Sequence, residues 1–240
     1  MKENKFVAIY QDLADKIQSH QYPVGSLLPS EKELSGTYHV SRETIRKALN
    51  LLSQNGYIQK VRGKGSIILD VSRFDFPVSG LVSFKEIAEA SGKKWRTNVH
   101  ELVLTEADSH IAKQLRIPVG TVVWKIIRSR EVDGERIILD KDFIRQDLIP
   151  NLTKEICEHS LYQYIEQELH LIISYSRKEM FVSQATDEDK LYLSMNDFHH
   201  VVVVNNHVFL EDTSLFQYTE SRHRLDKFRF VDFARRQSVK

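Results

Sequence analysis

The sequence predicts an α+β protein in two unequal parts, and three observations carry that prediction. Apolar residues recur at helical spacing through the first fifty positions and are followed at once by two short strand-like runs. Beyond residue 76 the pattern changes to longer alternating stretches interrupted by Asp133-Gly134 and Asn205-Asn206, dipeptides suited to hairpin turns. Charge divides along the same line. Residues 1–69 hold ten basic and six acidic side chains, a net +4, and the remainder hold 24 against 27, a net −3; the whole-chain balance of +1 hides both.

The first helix is read from Phe6, Tyr10, Leu13, Ala14 and Ile17, which share one face, and it stops where Tyr22-Pro23-Val24-Gly25 breaks the period. Leu28-Pro29 leads into Ser30-Glu31-Lys32-Glu33, a capping box in which the Ser30 hydroxyl accepts from the Glu33 amide while the Glu33 carboxylate reaches back. That second helix ends near Tyr38-His39. Ser41 caps a third, whose apolar face is Ile45, Ala48, Leu49 and Leu52 and whose other face carries Arg42, Glu43, Arg46, Lys47 and Asn50. After Gly56, the runs 57–61 and 66–69 make a hairpin through Arg62-Gly63-Lys64-Gly65.

In the larger part, Thr97 to Leu104 reads as a strand, Ala107 to Leu115 as a helix, and Thr121 to Val132 with Glu135 to Phe143 as a hairpin about Asp133-Gly134. A helical pattern lies within 153–169, a strand over 172–182 and a helix over 187–195. A second hairpin, Val201 to Val204 with His207 to Leu215, is expected about Asn205-Asn206. The domain boundaries that follow are 1–70, a linker over 71–76, and 77–240.

Several classes of function fall away. The apolar run Val201 to Val204 is among the longest, far short of the roughly 20 residues that span a bilayer. The first residues read as polar and amphipathic, not as a secretion signal, so a cytoplasmic protein is expected. Cys157 has no second cysteine to pair with and fits buried packing in a helix. His159, His199 and His200 stand near carboxylates without metal-ligand spacing, and no cofactor or metal is expected.

Two short helices with a tight turn, the second presenting arginines at its start, are the ingredients of a helix-turn-helix. An arginine there can bond two acceptors on a guanine edge or clamp a phosphate. Gly63 and Gly65 permit the positive φ of a sharp tip, where Arg62 and Lys64 add charge. Caps, basic helix face and basic glycine hairpin together predict binding to double-stranded DNA. In the larger part, strand alternation puts Trp124, Ile126, Arg128 and Arg130 on one face. Two arginines there serve either as structural partners of Asp140, Asp142 or Glu220, or as a site for a phosphate or carboxylate. A two-residue turn at Asp133-Gly134 sets Asp140 opposite Ile127, on the other face. A one-residue bulge at Gly134 brings it to the arginine side instead, and the sequence leaves both open.

The residues Leu28-Pro29-Ser30-Glu31, Val40 through Leu49, Asn55-Gly56-Tyr57-Ile58 and Gly63-Lys64-Gly65-Ser66 resemble the winged helix-turn-helix of GntR-type bacterial repressors. By that resemblance Lys32, Ser41, Arg42, Thr44 and Arg46 meet phosphates and base edges in the major groove. The wing at Gly63 and Lys64, with Arg62 beside it, enters the adjacent minor groove. Lys32 stands where arginine is common.

Arg128-Ser129-Arg130, Asp133-Gly134, Val82-Ser83-Phe84, Ser160-Leu161-Tyr162 and Arg224 through Phe228 resemble the effector domain of the HutC branch. The resemblance implies a chorismate-lyase-like antiparallel sheet with helices packed on it. In that picture a phosphate sits on the loop Ser83-Phe84-Lys85 and on Arg128 and Arg130. A sugar is held by Asp140, Tyr162, Gln217 and His223, where Asp140 and Gln217 replace more usual glutamates and His223 a usual tyrosine. Phe76 through Phe84 and Phe209 through Arg235 are similar to the trehalose-responsive members of the branch, implying trehalose 6-phosphate as effector. A homodimer on two operator half-sites, with no membrane partner, completes the expectation. Glu220 is grouped with the effector residues. With His223 it is the acid–base pair that a competing reading, a sugar-phosphate lyase or isomerase, would use.

Overall fold

A computed structural model describes residues 5–70, 83–91 and 94–230 of this chain. The expected linker 71–76, the stretch 77–82 and the tail from 231 lie outside the described residues. Those described divide into two compact units, each with its own core.

The first unit contains α1 (Lys5–Gln18), α2 (Glu31–Tyr38), α3 (Arg42–Gln54) and a hairpin of β1 (Ile58–Val61) and β2 (Gly65–Ile68). Its core joins Leu13 and Ile17 of α1, Leu34 of α2, Ile45, Ala48 and Leu52 of α3, and Ile58 and Ile68 of the hairpin. Both bonds of the Ser30 capping box form, so α2 starts where local chemistry sets it. His39 closes α2 in the left-handed conformation, φ 51°, and the chain re-enters a helix at the Ser41 cap two residues on. Leu27 bridges to Ile67 on the free side of β2.

The second unit is built on a six-stranded antiparallel sheet. In chain order it contains α4 (Phe84–Ser91), β3 (Trp95–Glu106), α5 (Ser109–Leu115), β4 (Val122–Val132) and β5 (Glu135–Arg145). Then follow α6 (Lys154–His159), α7 (Leu161–Gln163), β6 (Ile173–Gln184), α8 (Asp187–Tyr192), β7 (His200–Leu210) and β8 (Leu215–Arg224). The strands lie in the order β3-β4-β5-β8-β7-β6. On one face Ile126, Ile144 and Val208 pack against Cys157 of α6, Leu161 of α7 and Ile165 of the helical turn Tyr164–Glu168 that follows. The other face is covered by α5, over Val123 and Tyr218, and by residues following α8, Leu193 and Met195, over Ile127 and Val203.

One expectation is corrected here. Asn205-Asn206 is not a turn: β7 runs straight through it, with Asn206 paired to Lys178 on one side and Thr219 on the other. A strand bonded along both edges holds its backbone extended, and that pairing overrides a turn preference. The turn falls instead at 211–214, where Thr213 has φ 70° and Asp212 Oδ1 accepts from the Ser214 amide at 2.8 Å. The run expected to end at Leu215 therefore becomes a second strand beginning there.

The helical segment within 153–169 is also interrupted. Ser160, φ −161°, separates α6 from α7, and its side chain caps the second piece through the Gln163 amide.

Candidate DNA interface and effector pocket

In the first unit the basic residues gather at the start of α3 and at the hairpin tip. The Ser41 hydroxyl accepts from the Thr44 amide at 3.2 Å and lies 2.9 Å from the Thr44 hydroxyl, leaving exposed Arg42 projecting from the first turn. Arg46 is half-exposed and bonded to Glu31 of α2 at 3.3 Å and Glu43 at 3.2 Å, so its guanidinium is oriented before any ligand arrives. Lys32 is exposed on α2. At the tip Arg62, Gly63 and Lys64 are all exposed, and Gly63, φ 80°, adopts a conformation that side chains disfavour. Lys60 donates to Asn50 Oδ1 at 2.7 Å, tying the hairpin to α3.

In the second unit a cavity of about 180 Å³ opens on the sheet face beneath α4 and the α6–α7 segment. Cross-strand register decides what enters it. The turn between β4 and β5 is a two-residue one, with Asp133 and Gly134 both at positive φ (51° and 84°). The ladder then slips by one residue, so that Glu131 faces Arg136 but Arg130 faces Ile138, leaving Ile137 as an unpaired bulge. The turn is thus the two-residue one, but the bulge expected at Gly134 falls instead at Ile137, three residues after the turn, and it sets Asp140 opposite Arg128, on the arginine face.

Four buried charges result. Arg128 donates from Nε to Asp142 Oδ2 at 3.1 Å, pairs with it again through Nη2, and donates from Nη1 to the Cys157 carbonyl at 3.1 Å. Arg130 donates from Nε to Asp140 Oδ2 at 2.8 Å and from Nη1 to Thr97 Oγ1 at 2.7 Å, and its guanidinium lies 5.1 Å from the Phe84 ring centre. Asp142 also accepts from Gln217 Nε2 and Thr219 Oγ1, each at 2.8 Å, and Asp140 accepts from Ser221 Oγ. Burial alone would raise the Asp140 carboxyl; Arg130 and Arg128 overcome that and hold it below its usual range. Burial, then the neighbouring Arg128, lowers Arg130.

At the rim of the cavity, Ser83 and Glu86 form a capping box at the start of α4: the Glu86 amide donates to Ser83 Oγ and the Ser83 amide to the Glu86 carboxylate. The amides of Phe84 and Lys85, in the first turn, belong to the orphan donors that every helix start leaves. Lys85 Nζ lies 2.7 Å from His159 Nε2 and donates to Gln163 Oε1 at 3.0 Å, joining α4 to the α6–α7 segment. Tyr162 also lines the cavity, and burial raises its hydroxyl. His223 sits 3.0 Å from Ser221 Oγ, with its imidazole pushed down to about 4 by burial.

The cavity therefore brings together Ser83, Phe84, Lys85, Arg128, Arg130, Asp140, Tyr162, Gln217 and His223. Glu220 is not among them. Strand alternation along β8 turns Gln217, Thr219, Ser221 and His223 inward and Glu220 to the opposite face, where it pairs with Arg222 at 3.0 Å and Lys141 at 3.7 Å. The acid–base pair of Glu220 with His223 is thereby ruled out. Thr219, Ser221, Asn206 and Lys178 were missed in the sequence. Alternation from Gln217 to His223 was the signal for the first two; Asn206 was misread as a turn residue.

The gntR family of bacterial regulatory proteins matches residues 6–68, and the UTRA domain matches 90–229. The HTH-type transcriptional regulator TreR of Bacillus subtilis is 57% identical over 236 residues, covering 98% of this chain and 99% of that protein. The chain belongs to the GntR family. Its UTRA domain makes it a regulator of the HutC type: DNA-binding, with an effector domain, and not an enzyme. The solved structure of YydK from Bacillus subtilis is similar across 96% of this chain and 99% of that one, with a TM-score of 0.81 at 25% identity. The effector binding domain of the Bacillus subtilis trehalose repressor matches 60% of this chain and 99% of its own length, with a TM-score of 0.55 at 57% identity. Among the described residues, no helix is long and apolar enough to cross a membrane.

Proposed function

We propose that this GntR-family regulator represses an operon for trehalose uptake and utilisation, and that trehalose 6-phosphate releases it from the operator. The observation that carries the effector reading is the polarity of the cavity. One end offers the first-turn amides of α4, the Lys85 ammonium and Arg130, whose Nη2 makes no bond among the described residues. A helix start and fixed cations together suit a phosphate dianion. Beyond them stand oxygen acceptors on Asp140, Asp142 and Gln217, with Tyr162 and His223, a lining that suits the hydroxyls of a sugar. The similarity to a protein described as a trehalose repressor supports the choice of sugar.

In this reading Arg130 contacts the anion, while Arg128, committed to Asp142 and the Cys157 carbonyl, holds Asp142 in place. The segment 1–70 binds DNA: Lys32, Ser41, Arg42, Thr44 and Arg46 in the major groove, Arg62, Gly63 and Lys64 in the minor groove. The segment 77–240 binds the effector. A cytoplasmic homodimer sets two heads on half-sites about 34 Å apart, one helical turn. The effector lowers operator affinity by as much as it distinguishes the two states.

The test is a titration of operator release against trehalose 6-phosphate, other sugar phosphates and free trehalose, with product formation followed in parallel. Release at low concentration by trehalose 6-phosphate alone supports the reading. Release by a different sugar phosphate keeps the regulator and replaces its effector, and turnover of any of them overturns the assignment.

A further inference from the structure

Arg46 differs from the other basic residues of α2, α3 and the hairpin tip. Lys32, Arg42, Lys47, Arg62 and Lys64 form no ion pair among the described residues, whereas Arg46 forms two. Its carboxylate partners come from two helices. Arg46 Nη2 lies 3.3 Å from Glu31 Oε2 at the start of α2, and Nη1 lies 3.2 Å from Glu43 Oε2 in the preceding turn of α3. The three side chains are 53%, 38% and 63% exposed, a setting in which ion pairs add little to stability.

The charge balance says what Arg46 does not do. With Lys60 of β1, which lies within electrostatic reach of both Glu31 and Arg46, two positive charges meet two negative ones and the cluster is neutral. A neutral cluster exerts no general pull on a polyanion, so the unpaired basic residues around it supply the grip on phosphates. What Arg46 keeps is direction. Of its five N–H groups the two bridges use one on each Nη, leaving three in a plane that the two carboxylates hold. A fork fixed in advance is what paired bonds to a base edge require. Carboxylates beside it also repel any phosphate that would otherwise occupy the fork.

We propose that Glu31 and Glu43 are positioning residues that aim Arg46 at a base edge and keep phosphates from it, so that this arginine determines sequence specificity without adding general attraction for DNA. This rests on the reading of α3 as the helix that enters the major groove.

The experiment is fluorescence anisotropy of the full-length chain over a salt series, with the operator duplex and with a scrambled duplex of equal length. R46K keeps the charge and loses the fork: it weakens about tenfold on the operator and stays within about twofold on the scrambled duplex. E31Q binds the scrambled duplex roughly threefold more tightly, with a salt dependence steeper by up to about one unit, because a negative charge has left the face. Its ratio of operator to scrambled affinity falls about tenfold. D15N, which removes an equal charge from α1, leaves that ratio at the wild-type value. Melting temperature reports whether each variant is folded, and should E31Q fail to fold, E43Q is read in its place with the same expectation. An R46K that binds both duplexes like wild type overturns the proposal. So does an E31Q with an unchanged ratio, or a D15N that lowers the ratio as much. R42A in the same assay separates the two levels: normal operator affinity there removes the reading of α3 itself, whereas a weakened R42A beside wild-type-like R46K and E31Q overturns only the positioning role.

Discussion

Asp140 lies directly across the ladder from Arg128, yet it forms its ion pair with Arg130. Arg128 in turn reaches the other way, to Asp142. Both bridges are thus diagonal ones, i to j±2, across neighbouring strands, and the side chains of all four residues are almost wholly buried. Signs alternate along the zigzag Arg130–Asp140–Arg128–Asp142, so the two inner charges each lie beside two opposite ones and the quartet is neutral as a whole.

The Arg128–Asp142 bridge is therefore expected to be structural before it is functional. R128M leaves a buried carboxylate without its partner, a loss of about 3–5 kcal/mol in unfolding free energy. The double variant R128M/D142L removes both charges and recovers much of that loss. Denaturant midpoints of the two singles and the double close the cycle; a double variant as unstable as the sum of the singles would show that the two residues do not act as a pair.

Arg130 is expected to separate binding of effector from binding of DNA. R130Q, which removes the cation facing α4, weakens release of operator by trehalose 6-phosphate at least tenfold, about 1.4 kcal/mol. Operator affinity without effector is unchanged, and R130K restores part of the response. Unaltered release by R130Q in an electrophoretic mobility assay would place the anion elsewhere.

His223 gives a pH signature with a defined sign. Burial pushes it from 6.5 down to about 4, so the unfolded chain takes up the proton first. The contribution of the neutral ring is complete above pH 6.5 and is lost as pH falls toward 4, at most about 3 kcal/mol. H223Q, which cannot titrate, is expected to lose less melting temperature than wild type between pH 6.5 and 4. Parallel curves for the two proteins would deny the effect.

For the DNA interface, R42A is expected to weaken operator binding by about 1–3 kcal/mol and to leave effector affinity unchanged. K64A is expected to weaken all sequences alike and to flatten the salt dependence of binding. Fluorescence anisotropy over a salt series measures both. Normal operator affinity in R42A would remove the assignment of α3 as the reading helix.

The head was legible because its signals are local. The Ser30–Glu33 capping box spans three residues, the Ser41 cap sits beside the helix it starts, and the apolar face of α3 repeats every turn. Each follows from backbone geometry within one or two turns, and each occurs where the sequence puts it. The arginine face of β4 was equally plain from alternation. The second unit failed where the outcome depends on partners far along the chain. Nothing near Asn205-Asn206 says that β6 and β8 will bond it from both sides, and nothing in the β4–β5 turn says that Ile137 will bulge.

By itself, then, the sequence determined a basic head with its caps, basic helix face and hairpin, a second domain of helices and strands, and a pair of arginines aligned on one strand face. The tertiary structure decided which carboxylates those arginines meet, that Glu220 faces away from them, and that Asn206 and Lys178 line the same cavity. The physical reason is the two-residue period of a strand. One bulge inverts the face of every residue beyond it, and only the long-range pairing of six strands settles where that bulge falls.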